Sequence, residues 1–257
     1  MKKVIYYFSG TGNSLQVARK LSELLSDTAI HAISYTTEMD ISAEVIGFIF
    51  PVYLWGVPDI IHQFLKKLNN GVHENYFFAV ATYKSQSGDV IGHLQRLMRK
   101  QRISLSAGFT VKMPGNNIIF YDVESKQEQK SKLEECQSRL LEISQLIQSR
   151  KKVIPTVPII DRFLYTGLLH SILISTFHNA DRQFWIEPDC NSCGTCFKVC
   201  PVSNIILRDG KPEWQHNCQL CLTCINMCPR KVIQYGRTTK KRDRYMNPDI
   251  VVKDLYK

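Results

Sequence analysis

The residues best suited to chemistry in this sequence are eight cysteines in two runs. Cys190, Cys193, Cys196 and Cys200 are spaced C-x-x-C-x-x-C-x-x-x-C ahead of Pro201, and Cys218, Cys221, Cys224 and Cys228 repeat that spacing ahead of Pro229. The three close-set cysteines of a run can wrap one iron–sulfur cube. The cysteine before proline is carried too far along the chain and ligates the neighbouring cube instead. The pattern assigns Cys190, Cys193, Cys196 and Cys228 to one [4Fe-4S] cluster, and Cys218, Cys221, Cys224 and Cys200 to the other, so the two runs must fold together. Zinc takes four ligands per ion and has no use for the third C-x-x step or the C-P ending. Disulfides need an oxidising compartment, for which nothing in the chain argues.

Here the chain resembles the bacterial two-[4Fe-4S] ferredoxins, through CNSCGTCFKVCP and CQLCLTCINMCP in roughly its last quarter. Between the runs, Ile205-Ile206-Leu207 and Pro212-Glu213-Trp214 flank Arg208-Asp209-Gly210-Lys211, an Asp-Gly hairpin signal. Val232 to Tyr235 supplies a matching strand after the second run.

The elements that must carry any other cofactor lie upstream. A chain of 257 residues is long enough for a larger domain beside these runs, and 44% apolar and 22% charged residues are ordinary for a soluble protein. Lys3 to Ser9 reads as a buried strand and Leu15 to Leu25 as a helix, with Leu15, Ala18, Leu21, Leu24 and Leu25 at helical spacing. Between them lies Ser9-Gly10-Thr11-Gly12-Asn13-Ser14. The glycines admit a close backbone approach, the amides of the first helical turn point at the ligand, and the hydroxyls of Ser9, Thr11 and Ser14 donate as well. No lysine follows, as a nucleotide triphosphatase loop requires, and there is no G-x-G-x-x-G for a nicotinamide. A lone monophosphate fits best.

This loop resembles the phosphate loop of flavodoxins. Strands at His31 to Ser34, Val45 to Phe50, Tyr76 to Ala81 and Phe109 to Lys112 alternate with helices at Pro58 to Leu68 and Asp89 to Lys100. The expectation is an α/β, flavodoxin-like doubly wound parallel sheet of five strands in the order 2-1-3-4-5, followed by an α+β ferredoxin-like domain with two [4Fe-4S] clusters. A ligand then sits beyond the carboxyl ends of the strands, where Ser9 to Ser14, Pro51 to Pro58 and Ala81 to Gly88 reach. Pro51-Val52-Tyr53-Leu54-Trp55-Gly56 places two large aromatics on a loop that folding physics would keep polar, and an aromatic cofactor plane explains them. Rings that merely cap the sheet end are the alternative. By resemblance this loop flanks the flavin of FMN, with Thr82, Tyr83 and Gly88 opposite. Tyr53, Trp55 and Tyr83 are expected around the ring, and Gly56 is expected to turn its peptide toward reduced flavin, as comparable glycines do in flavodoxins.

Ser125 to Arg150 reads as a long amphipathic helix with Leu133, Leu140, Ile143 and Ile147 on one side. Lys151 to Pro158 has two prolines and no period, and Ile159 to Phe177 reads as a helix between domains, with His170 and His178 structural. The expected division is residues 1–150 for the FMN domain, 151–183 for the linker and helix, and 184–257 for the cluster domain with a basic tail. The loop Lys112 to Asn117 is read as plain, and Cys136 as a half-buried thiol without a role.

The formal charge of +10 suggests nucleic acid until the cofactors are included. Two oxidised clusters with their thiolates and one flavin phosphate supply about six negative charges, leaving about +4. No nucleic-acid partner is expected. Arg230, Lys231, Arg237, Lys240, Lys241, Arg242 and Arg244 form either a solvated face or a docking patch for an acidic redox partner. The start of the chain does not read as an export signal, and Phe163 to Phe177 is too short and interrupted to span a membrane, so a cytoplasmic protein is expected.

The whole chain resembles the flavodoxin–ferredoxin fusions, whose ending is echoed by Arg244-Tyr245-Met246-Asn247-Pro248-Asp249. The resemblance implies a low-potential electron carrier that passes electrons between two clusters and FMN and on to partner redox enzymes. The alternative is a flavoenzyme whose clusters feed FMN for reduction of a quinone, nitro compound or dioxygen. No Ser-His-Asp set or carboxylate pair asks for a catalytic role, and none is assigned.

Overall fold

The computed structural model describes residues 2–68 and 75–256; the outermost ends of the expected domains, residues 1 and 257, lie outside them. Contacts divide the chain into two compact units. One holds Met1–Phe8, Asn13–Pro114 and Lys126–Ile174; the other holds Ser9–Gly12, Gly115–Ser125 and Ser175–Lys257. The first four residues of the phosphate-type loop thus group with the cysteine runs.

In the first unit, β1 (Lys3–Tyr7), β2 (Thr28–Ala32), β3 (Val45–Pro51), β4 (Tyr76–Tyr83) and β5 (Ala107–Lys112) form one sheet in the order β2-β1-β3-β4-β5. All four pairings are parallel. This is the flavodoxin-like order, with its switch point between β1 and β3. The central strands are apolar throughout because both faces are covered: β3 is buried from Val45 to Phe50. One face packs on α1 (Asn13–Leu25) and α4 (Lys126–Gln148), where Val17, Ala18 and Leu21 meet Leu140, Ile143 and Ile147 in one core. Over the other face lie α2 (Asp59–Leu65) and α3 (Val90–Lys100). There Phe48 stacks on Phe77 at 6.2 Å, and Phe64 of α2 meets Tyr6 at 5.1 Å. Each such ring or aliphatic chain taken fully from water contributes about 1.5–3 kcal/mol.

Beyond α4, Val153 forms a parallel bridge to Ala107 and so extends the β5 edge, which the two prolines nearby had concealed. The helical stretch expected over Ile159 to Phe177 is not one α-helix. It runs as a π-helix over Asp161–Leu169, then α5 (His170–Leu173), then a 3-10 turn over Ile174–Phe177. Thr166 and His170 are its buried residues, whereas Phe163, Leu168 and Ile172 are exposed. Among the described residues no helix is long and apolar enough to cross a membrane.

In the second unit, β6 (Phe184–Ile186) pairs antiparallel with β9 (Ile233–Tyr235), and β7 (Ile205–Arg208) with β8 (Lys211–Trp214). The second pair is the hairpin expected at Asp209-Gly210, and both turn residues are left-handed, as a two-residue hairpin requires. The strand β6 was not anticipated. Its three residues are too few for periodicity to register, and Phe184 is fixed instead by stacking on Trp214 at 5.3 Å.

Strand and helix limits differ from the sequence expectation mainly at the sheet edge. The second strand is Thr28–Ala32 rather than His31 to Ser34, because register with β1 is set by main-chain bonds and this edge strand is half exposed. Gly47 of β3 lies in register with Phe78 of β4, and a β-carbon there would come within 2.2 Å of the Phe78 ring. Gly47→Ala is therefore expected to destabilise the sheet by about 1–3 kcal/mol through overpacking. Urea denaturation followed by circular dichroism checks this, and an unmoved midpoint would mean that the ring swings clear.

Candidate functional site

The Ser9 to Ser14 loop is shaped by main-chain demands. The Gly12 amide donates to Ser9 Oγ at 3.2 Å, and Gly12 has φ +98°, a conformation that side chains resist. A β-carbon on Gly10 would meet the Cys221 carbonyl at 2.5 Å, so only glycine fits there. Thr11 is 1% exposed, and its hydroxyl has no hydrogen-bond partner among the described residues. A buried hydroxyl without a partner is costly and marks a place where a ligand acceptor belongs. Asn13 opens α1 and turns its amide to the Pro114 carbonyl at 2.8 Å. Ser14, also 1% exposed, bonds the Thr82 hydroxyl at 2.9 Å, which ties the start of α1 to the end of β4. Glycines, amides and hydroxyls without a lysine suit a phosphate monoester.

The loop after β3 is strained. Val52 donates to the Thr82 carbonyl at 2.8 Å, and Tyr53 and Gly56 exchange main-chain bonds at 3.0 and 2.9 Å. Between them Leu54 and Trp55 have φ +47° and +61°. Side-chain-bearing residues pay about 1–2 kcal/mol each for that conformation, so the surroundings must hold it. The buried π-helical residue Thr166 donates its hydroxyl to the Trp55 carbonyl at 2.7 Å and accepts the Asp89 amide at 2.9 Å. His170 Nδ1 lies 3.0 Å from the Tyr53 carbonyl and 3.2 Å from that of Leu54, and donates to both. Its ring fills the space that a β-carbon on Gly56 would need, at 2.6 Å. Gly88, with φ +54°, passes under Trp55 on the same terms.

Of the three rings expected around a flavin, Tyr53 meets Phe8 edge-on at 6.1 Å and Trp55 tilts on Tyr165 at 5.1 Å. Tyr83 ends β4 half-buried. Tyr165, Thr166 and His170 are residues that sequence reasoning missed as a group. No local period marks them, because a π-helix places side chains off the α-helical spacing.

Beneath the same loop, His93 Nδ1 accepts the Val57 amide at 3.3 Å and its ring lies 4.9 Å from that of His170. Burial, then the neighbouring His170 and Arg96, push the His93 pKa down from 6.5 to about 3. Burial lowers His170 as well, against the opposing pull of the Tyr53 and Leu54 carbonyls.

In the carboxyl-terminal unit the two cysteine runs repeat each other in backbone conformation. Ser192 and Leu220, Gly194 and Leu222, and Ser203 and Lys231 are left-handed at matching places. Gly194 precedes α6 (Thr195–Lys198), and Leu222 precedes α7 (Thr223–Asn226). A small pocket is lined by Cys190, Cys193 and Cys196 of the first run together with Cys228 of the second. Burial raises the Cys196 thiol to about 11, with Cys228, Cys193 and Cys190 adding to it. At Cys193 burial also pushes upward, but hydrogen bonds from Thr195 outweigh it and the thiol lies below its usual value.

The other cysteines behave as a second set. Burial lifts Cys221 to about 11, with Cys200 the largest charge contribution. Cys218 and Cys224 are raised further by burial and by their partners, Cys200 among them. The amides of Leu220 and Asn204 point at the Cys218 and Cys200 sulfurs, each at 3.2 Å. Buried sulfurs whose ionisation burial and neighbouring thiols suppress, as at Cys196, Cys218, Cys221 and Cys224, suit a cationic iron cluster, which would hold them as thiolates. Among the described residues no group of three or more His, Cys, Asp or Glu is spaced to hold a single metal ion.

Asp181, buried and absent from the sequence expectation, fastens this region. It accepts Asn204 Nδ2 at 2.7 Å, the His216 amide at 3.0 Å and His216 Nδ1 at 2.8 Å. In the basic tail, Arg244 turns its guanidinium to the carbonyls of Thr239, Arg242 and Ile233, and Arg242 donates to the Ile118 carbonyl at 2.8 Å. Arg230, Lys231, Arg237, Lys240 and Lys241 are the exposed members.

No protein-family model matches the chain. Over 41 residues it is 44% identical to a protein named "Ferredoxin 7Fe" from Hydrogenibacillus schlegelii, a stretch covering 16% of this chain and 53% of that one. The chain thus spans about half the length of this curated relative. Among solved structures it is similar to Fusobacterium nucleatum flavodoxin bound to flavin mononucleotide, at 14% identity and TM-score 0.42, over 59% of this chain and 99% of that one. It is also similar to the rubredoxin oxygen:oxidoreductase of Desulfovibrio gigas, at 16% identity and TM-score 0.34, over 56% of this chain and 37% of that one. The strand order of the sheet fixes the fold independently of these likenesses. The amino-terminal unit is a flavodoxin-like α/β fold, and the cysteine unit is consistent with a ferredoxin-like domain.

The buried pair His93 and His170 sets a pH dependence. Above pH 6.5 neither the folded nor the unfolded His93 is charged; below it the unfolded chain takes a proton that the fold refuses. Stability is therefore lost as pH falls from about 6.5 toward 3, by about 1 kcal/mol between pH 7 and 5.5. Denaturation midpoints at the two pH values should converge in His93→Gln, and an unchanged difference would place the titration elsewhere.

Proposed function

We propose that this chain is an electron-transfer protein that carries two [4Fe-4S] clusters and FMN and passes electrons between them and on to partner redox proteins. The observation that carries this reading is the cavity that takes three cysteines from the first run and Cys228 from the second. Cys190, Cys193, Cys196 and Cys228 would hold one cluster, and Cys218, Cys221, Cys224 and Cys200 the other. The Ser9 to Ser14 loop would hold the FMN phosphate, with the Thr11 hydroxyl as a buried donor. Pro51 to Gly56, Thr82, Tyr83 and Gly88 would border the ring.

When bound, each cluster exchanges one electron while the flavin accepts one or two, so the pair can gather or distribute single electrons. The residues' task is to position and insulate. Thr166 and His170 fix the carbonyls of the Tyr53 to Trp55 turn, and the N–H donors at Cys218 and Cys200 favour added negative charge on the sulfurs. The exposed Arg230, Lys231, Arg237, Lys240 and Lys241 suit an acidic redox partner. A reducing cytoplasm suits the thiolates.

The test is anaerobic reconstitution followed by reductive titration, with flavin absorbance and cluster paramagnetism recorded together. The expected protein carries about eight irons and one FMN, and both cofactors change redox state. Cys228→Ser should lower iron to about four while FMN is retained. About seven irons would point to one incomplete cluster. Absence of bound FMN in iron-loaded protein would sink the two-cofactor reading.

A further inference from the structure

The two cysteine runs are alike in spacing but not in their surroundings. In the first, Thr195 Oγ1 lies 3.4 Å from the sulfur of Cys193, which is exposed. In the second, the matching Thr223 is 1% exposed and its Oγ1 lies 3.1 Å from the sulfur of the buried Cys221. Thr223 then does something that Thr195 does not: it donates its hydroxyl to the Gly10 carbonyl at 2.9 Å. Gly10 belongs to the Ser9–Gly12 segment, which is part of the same compact unit as the cysteine runs.

That segment is held at two more points. The Asn247 amide donates to the Thr11 carbonyl at 2.9 Å, and Ile250 covers Gly12 so closely that a β-carbon there would lie 2.9 Å away. The tail bearing these residues is itself anchored: Tyr245, Asn247 and Ile250 are buried, and the Tyr245 amide donates to Asn226 Oδ1 at 3.0 Å. Asn226 in turn ends α7, which Thr223 begins. Between these clamps sits the Thr11 hydroxyl, buried and without a partner among the described residues.

Resting on the reading above, we propose that Thr223 and the Asn247–Ile250 tail are positioning residues that set the phosphate loop to its binding shape. The second cysteine foursome and flavin affinity are thereby coupled, and the first foursome is not. The coupling is reciprocal, as any linkage between two binding events must be. The one proton of the Thr223 hydroxyl can go either to the Gly10 carbonyl or to the Cys221 sulfur; FMN bound at the loop shifts it between the two, and hydrogen bonds to sulfur tune a cluster's potential.

The experiment compares iron-loaded parent protein with Thr223→Val, Thr223→Ser, Thr195→Val and Ile250→Ala. FMN affinity is measured by fluorescence quenching, iron is counted per chain, and cluster potentials are recorded with and without FMN. Thr223→Val and Ile250→Ala are expected to bind FMN about tenfold more weakly, while Thr223→Ser and Thr195→Val stay close to the parent. FMN should shift the potential of one cluster in the parent and of neither in Thr223→Val. Parent-like affinity in an iron-replete Thr223→Val, or equal shifts at both clusters, overturns the coupling. Where Thr223→Val loses iron and affinity together, Ile250→Ala decides: parent-like affinity there overturns the proposal, and weakened binding supports it. A parent that binds no FMN fails the cofactor reading, which is a different result from a parent whose variants all bind alike.

Discussion

Cys228 lines a cavity together with Cys190, Cys193 and Cys196 of the first run, and much of the carboxyl-terminal unit follows from that reach. A run whose fourth sulfur belongs elsewhere cannot complete a foursome alone. The left-handed turns at Ser192, Gly194, Leu220 and Leu222 bend each run so that its sulfurs converge and its amides face them. Leucine is a poor residue for this conformation, and Leu220 and Leu222 show how strongly the turn is required. With a hairpin, a two-stranded pair and two helices of one turn each, this unit has a modest apolar core that includes Val199, Ile205, Ile225, Ile233 and Tyr245. Bonds such as those around Asp181 supply order that hydrophobic burial in larger domains would provide.

The amino-terminal unit solves the opposite problem. Its sheet is buried on both faces and needs no cofactor to justify its strands, yet at the carboxyl edge Leu54 and Trp55 occupy a conformation that the core does not explain. Thr166 of the π-helical segment and His170 at the start of α5 hold the carbonyls of that turn, and π-helical turns are frequent at functional sites. A polar loop would have been cheaper to fold. Strain kept in place by two buried side chains is what a preorganised binding edge looks like.

Much of this was legible in the sequence, for different reasons in the two halves. Period and alternation marked the strands because central parallel strands such as Val45–Pro51 are continuous apolar runs, whereas their order was expected from the resemblance to flavodoxins. Spacing alone led to the expected partition of the cysteines, in which the cysteine before proline reaches the neighbouring set. What could not be read was whatever depends on contacts distant in sequence. The edge strand β2 is fixed by register, β6 by one stacked ring, and Asp181 by Asn204 and His216. Arg242 and Arg244 read as surface charge because composition cannot tell a solvated guanidinium from one turned to carbonyls.

The same limit applies to the loop after β1. Ser9 to Gly12 reads as the property of the strand and helix that flank it, and its glycines as the usual allowance for a phosphate. The structure gives Gly10 and Gly12 another reason: each meets a residue near the other end of the chain, Cys221 and Ile250, at distances that admit no side chain. A glycine demanded by a ligand and a glycine demanded by a neighbouring main chain are identical in sequence. In the proposed reading one pair of positions answers to both demands. A substitution at either would therefore test the packing of the cysteine unit at the same time as the affinity of the loop.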